Sequence, residues 1–121
     1  MYDRPVAPTE LPVRQRGICC DLPEPADERW ARDRAALLKA LADPTRLNML
    51  AALRSASAPV CICDFTAAYD LSQPTISHHM AKLRAAGLVE SSRRGIWVYY
   101  QLRPNLSAGL VRLLEAVLAA A

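Results

Sequence analysis

Four cysteines carry the most reactive chemistry in this chain. They fall in two tight pairs, Cys19-Cys20 in "GICCD" and Cys61-Ile62-Cys63 in "PVCICDF". Sulfur-only donor sets select soft ions, and paired thiols can also close a disulfide on oxidation. Plainer roles fit less well. A free cysteine is often a small buried apolar residue, but a vicinal pair in a proline-rich stretch has no core to enter. A vicinal disulfide is strained, and a reducing compartment disfavours disulfides generally. A structural zinc knot uses a C-x₂₋₄-C spacing that neither pair has. An enzyme nucleophile needs a positioned base or a setting that lowers its pKa. Asp64, beside Cys63, opposes a thiolate, and no other catalytic constellation is present. The sequence therefore points away from an enzyme.

A second group of chemically capable residues lies in "SQPTISHHMAKLRAAGLVE", Ser72 to Glu90. Wound as a helix, this stretch puts Ile76, Met80 and Leu83 on one buried stripe. Thr75, His78 and Lys82 take the opposite face, with Gln73 and Ser77 near its N-terminal edge. Short polar groups at a helix start reach base edges and phosphates, and the helix N-terminus itself attracts phosphate. Residues 73–103 hold Lys82, Arg84, Arg93, Arg94 and Arg103 against Glu90 alone, within a chain whose net charge is only +3. A basic stretch on a nearly neutral protein predicts a polyanion contact on one face. His79 sits nearer the buried stripe and is expected to pack. The two adjacent histidines would point about 100° apart and chelate poorly.

These groups need elements to hold them. Residues 1–25 contain five prolines and little periodicity, which predicts an extended, mobile arm bearing Cys19 and Cys20. Residues 26–121 form the folded domain. From Asp27 onward, Trp30, Leu37, Leu38 and Leu41 share a helical stripe. In "ADPTRLNMLAAL", Asp43 caps, Pro44 suits the first turn, and Leu47, Leu50 and Leu53 line one face. A short helix is expected from about Cys61 to Tyr69. Residues two apart within a helix diverge by about 200°, so Cys61 and Cys63 would meet only if that helix start were frayed or reshaped. Ser72 caps the next helix, over Gln73–Ala86, and Gly87 ends it. "LVESSRRGIWVYYQL" is two β-rich runs around Arg93-Arg94-Gly95, a hairpin, with Tyr99 and Tyr100 as packing residues. The last helix carries Leu106, Leu110, Leu113, Leu114, Val117 and Leu118, which is too apolar for a solvent-facing end. It is expected to pair with a second copy together with the first helix.

The fold class expected from this order is mainly α with a β-hairpin wing, a winged helix-turn-helix dimerising through its first and last helices. The second helix of the turn enters a DNA major groove. Gln73, Thr75, Ser77 and His78 then face bases and phosphates, and Lys82, Arg93 and Arg94 make salt-sensitive phosphate contacts. No apolar run reaches the roughly 18 residues of a membrane span. The amino terminus, "MYDRPVAPTELPVRQRG", has no apolar secretory core. Both predict a cytoplasmic protein with free thiols and no membrane partner.

"ALADPTRLNMLAAL", "CICDF", "LSQPTISHHMAKLRAAGLV" and "RRGIWVYYQL", in this order across Leu37 to Leu102, resemble the ArsR/SmtB family of metal-responsive bacterial repressors. The resemblance implies a homodimer that holds operator double-stranded DNA when ligand-free and lets go when ligand binds. Cys61 and Cys63 resemble the cysteine–any–cysteine motif with which arsenic, cadmium and lead sensors of the family bind their ligand. Cys19 and Cys20 on the arm would raise the set to four sulfurs. Arsenic(III) or antimony(III) takes three thiolates in a pyramid, whereas cadmium, lead or zinc is content with four, so the count leaves both open. Two features favour arsenic or antimony. A vicinal pair bites a three-coordinate centre better than a tetrahedral one. Residues 104–121 lack the histidine and aspartate of the family's zinc, nickel and cobalt members. The chain departs from arsenic members that keep all cysteines in the short helix, and from cadmium and lead members with more widely spaced arm cysteines. A cadmium- or lead-responsive repressor and a thiol-based redox or persulfide sensor are the alternatives.

Overall fold

The computed structural model describes residues 22–119; Cys19, Cys20 and most of the expected arm lie outside the described residues. Five helices and three short strands follow in the order α1 (Glu28–Leu41), α2 (Pro44–Ser55), β1 (Val60–Cys61), α3 (Ile62–Tyr69), α4 (Gln73–Ala85), β2 (Val89–Arg94), β3 (Trp97–Leu102) and α5 (Ala108–Leu118). Local chemistry sets most of these boundaries. The Asp27 side chain accepts from the Arg29 amide at 3.1 Å to start α1. Asp43 accepts from the Arg46 amide at 2.9 Å, with Pro44 in the first turn of α2. Ser72 and Ser107 do the same for α4 and α5.

The end of α4 is a Schellman turn. The Leu88 amide donates to the Leu83 carbonyl at 3.1 Å, and the Gly87 amide to Arg84 at 2.9 Å. Gly87 takes the left-handed φ of +78° that this closure requires. The chain then turns directly into β2.

Ile76, Met80 and Leu83, the stripe expected for α4, are fully buried against Met49 and Leu50 of α2 and Leu88 and Val89 after the turn. Burying each such side chain contributes about 1.5–3 kcal/mol. This stripe fixes the rotation of α4, so the polar face opposite is the one offered to solvent. Leu53 is buried as expected, while Met49 takes the fully buried place in α2 and Leu47 is only half-buried.

The hairpin proves to be part of a three-stranded antiparallel sheet ordered β1-β3-β2. Val60 pairs with Tyr100 and Cys61 with Tyr99. Two residues after Pro59 give no alternating pattern to read, so this edge strand arises from pairing across the fold rather than from local preference. Leu106 also departs from expectation: it precedes α5, in the connection, and packs against the core from there. α1 and α5 leave Trp30, Leu38, Val111 and Val117 exposed.

Candidate thiol site and nucleic-acid interface

Cys61 ends β1 and is also the N-cap of α3, with φ −70° and ψ 143°. The helix expected from about Cys61 thus begins one residue later, at Ile62, and the condition for Cys61 and Cys63 to meet is satisfied by this extended cap. An N-cap residue lies outside the helical progression, so its side chain folds back over the helix start. The Cys61 sulfur accepts from the Cys63 amide at 3.4 Å and lies 2.8 Å from the Cys63 sulfur. The two thiols meet without fraying, and both are free. Cys61 is buried and Cys63 exposed, so the pair opens to solvent on one side. The hydrogen bond to Cys61 pushes the Cys63 thiol pKa up, helped by desolvation and by the charges of Cys61 and Asp64. Among the described residues, no three histidine, cysteine or acidic side chains converge as a metal-holding group. Here the pair supplies two sulfur donors.

On α4, Gln73, His78 and Lys82 are exposed or half-buried, as are Thr75 and Ser77. The Thr75 hydroxyl lies 2.9 Å from that of Ser72, so it is engaged in the cap. His79 is turned inward, as its place beside the stripe suggests. Its Nδ1 lies 3.3 Å from an Arg46 terminal nitrogen and 3.8 Å from the Asp43 carboxylate.

Arg46 is the structural residue that sequence reasoning missed. Its Nε donates to the Ala40 carbonyl at 2.7 Å and its Nη2 to Lys39 at 3.2 Å. One guanidinium thus caps the last turn of α1, sits beside the α2 cap and touches α4. Asp43 is held below the usual carboxylate range, first by the Arg46 amide and then by the Arg46 and His79 charges. The available signal was an arginine three residues after a helix-capping aspartate, a position that can fold back over the preceding helix end.

Arg93 and Arg94 are exposed near the tip of the β2–β3 hairpin. The Arg94 guanidinium lies 4.7 Å from the centroid of the Tyr99 ring, a cation–π contact, and Tyr100 is buried. Arg84 of α4 donates to the Ser91 hydroxyl at 3.0 Å, tying the helix to the wing. The thiols sit at the start of α3, and the sheet links them to the wing: Cys61 pairs with Tyr99, which pairs with Ser92 on its other side and carries Arg94 over its ring. Among the described residues, no helix is long and apolar enough to cross a membrane.

Residues 43–91 match the family model described as "Bacterial regulatory protein, arsR family". An arsenic resistance transcriptional regulator of Pseudomonas putida is 42% identical over 67% of this chain, a match spanning 62% of that protein's length. The arsenical resistance operon repressor of Escherichia coli is 42% identical, covering 65% of this chain and 67% of its own. A biofilm growth-associated repressor of Agrobacterium fabrum is 34% identical over 93% of this chain and 94% of its own. Among solved structures, HlyU from Vibrio cholerae superposes with a TM-score of 0.61 at 28% identity, covering 78% of this chain and 100% of that one. A homodimeric winged helix-turn-helix DNA-binding domain from Mycobacterium bovis gives 0.63 at 27% identity, covering 81% and 88%. That homodimer supports a dimer here too, for which α1 and α5 leave apolar surface. The chain belongs to the arsR family of bacterial regulatory proteins, as a winged helix-turn-helix transcriptional repressor of the ArsR/SmtB type and not an enzyme.

Proposed function

We propose that this repressor holds operator DNA as a homodimer and releases it when arsenic(III) or antimony(III) is bound by its cysteine thiolates. The carrying observation is the approach of the Cys61 and Cys63 sulfurs to 2.8 Å at the start of α3. Two preassembled soft donors suit a thiophilic centre, and the arm cysteines Cys19 and Cys20 are the proposed further ligands. When bound, such a centre supplies short bonds that tie thiolates together. The remaining consequences belong to the chain. Cys61 caps α3, and Phe65 of α3 shares the core with Ile76 and Met80 of α4. A shift of Cys61 therefore bears on the packing that sets the reading helix. Couplings between sites of this kind are typically about 1–3 kcal/mol. On the DNA side, Gln73, Thr75, Ser77 and His78 face the major groove. Lys82, Arg93 and Arg94 meet phosphates.

The test is operator release followed by fluorescence anisotropy, with purified protein and thiols kept reduced. Arsenite or antimonite should release DNA from the wild type and not from C61S or C63S, and C19S/C20S should respond more weakly. An undiminished response of C19S/C20S would confine the site to Cys61 and Cys63. Release by cadmium or lead in preference to arsenite would assign the divalent reading. Release by peroxide or polysulfide alone would assign the redox one, which the same close thiols also favour.

A further inference from the structure

The β2–β3 hairpin ends in an apolar point. Arg94 pairs with Trp97 across the turn, leaving Gly95 and Ile96 as a two-residue loop. Gly95 has a φ of +63° and Ile96 does not share the left-handed region, the pattern of a type II′ turn with glycine first. That turn carries Ile96 to the outermost position, where it is 81% exposed beside a half-exposed Trp97. A lone exposed apolar residue is ordinary. Here, though, two are contiguous, two arginines stand behind them, and residues 91–103 contain no carboxylate. One of those arginines is propped on Tyr99. The Arg84–Ser91 hydrogen bond ties α4 to the base of the hairpin.

We infer that Ile96 is an apolar wedge that enters the DNA minor groove beside the site read by α4, with Arg94 and Arg93 on the bordering phosphates. The inference rests on the operator-binding reading above. The minor groove concentrates negative potential that draws arginine in. Its walls are apolar sugar edges, and branched aliphatic side chains are known wedges at deformable base steps. Isoleucine, stiff at χ1, loses little freedom on insertion. The wing would thus select flanking DNA by its ease of opening, without hydrogen bonds to bases.

The experiment uses full-length protein and duplexes that the wild type selects from a random-sequence pool, with 2-aminopurine placed at the flanking steps. Ile96→Ala should weaken binding about fivefold per wing, hence about 25-fold for a dimer, because the smaller side chain buries less apolar surface in the groove. It should keep the salt dependence, lose the wild type's 2-aminopurine enhancement and flatten the flank preference. Arg94→Ala should instead lower the salt slope by about one per wing. If Ile96→Ala binds within twofold of wild type with the same 2-aminopurine signal, the wedge is overturned while operator binding stands. If the wild type enriches no duplex, both readings fall. If Ile96 is needed only for sedimentation with phosphatidylglycerol vesicles, the tip serves a membrane surface and the wedge is overturned.

Discussion

Proton release on loading should tell a metalloid from a divalent metal at the Cys61–Cys63 pair. The perturbation is a change from about pH 6 to about pH 8. The Cys63 thiol is raised above its ordinary value by the hydrogen bond to Cys61, then by desolvation, so it stays protonated across this window. A divalent cation must displace that proton to form its bond to sulfur, and each displaced proton steepens affinity by a factor of ten per pH unit. Cadmium or lead should therefore bind about 100-fold more tightly at the upper pH from Cys63 alone. Arsenous acid balances differently: each new As–S bond replaces an As–OH bond, and the thiol proton departs with the hydroxide as water. Its affinity should be flat over the same window. The assay is titration of reduced protein with each species at several pH values, read by calorimetry in buffers of different ionisation enthalpy so that released protons are counted. A flat cadmium profile would mean that Cys63 is already a thiolate and would refute the reasoning. An arsenite profile rising tenfold per unit would do so equally.

Three further outcomes follow from particular contacts. Arg46→Met removes the donors to Ala40 and Lys39 and the contact with His79. Stability should fall by about 2 kcal/mol in urea unfolding, and operator affinity should drop with no change in its salt slope; a loss below about 0.5 kcal/mol would deny the guanidinium this structural role. Gly87→Ala places a β-carbon at a φ of +78° and should cost about 1–2 kcal/mol by the same measurement, although nothing lies close enough to clash. Glu115 is held below the ordinary carboxylate range by its hydrogen bond from Arg54, then by that group's charge. Its stabilising contribution is present above the ordinary value and disappears as pH falls through the lowered one. The melting temperatures of wild type and Glu115→Gln should therefore differ at neutral pH, converge in acid, and draw together in high salt as expected of an exposed pair.

Helix boundaries were legible because their signals are local. Asp43, Ser72 and Gly87 each act on a backbone group within a few residues, and the Ile76/Met80/Leu83 stripe repeats within a single helix. The inward turn of His79 was readable from the same stripe. What sequence could not reveal depends on pieces meeting across the fold. β1 exists because Val60 and Cys61 find Tyr100 and Tyr99 some forty residues later. That pairing keeps Cys61 extended, which is how the two cysteines come to meet at the helix start. Arg46 escaped for the same reason: its partners lie at the end of the preceding helix and on α4, and an arginine in an amphipathic helix reads as a solvated charge. The thiol pair and the basic face were both visible as residue types, but the distance between the two sulfurs was not.

The central place of β3 has a consequence for how mutations in this molecule should be interpreted. One margin of β3 is stitched to the strand that ends in Cys61, and the other to the arm of the hairpin carrying Arg93 and Arg94. Sulfur chemistry and hairpin attitude are therefore fastened to a single ribbon of backbone. On the proposed function, a change at Val98 or Tyr99 should alter inducer sensitivity and basal operator occupancy together, although neither residue is a proposed ligand or DNA contact. Variants that damage two functions at once should be sought along that ribbon first.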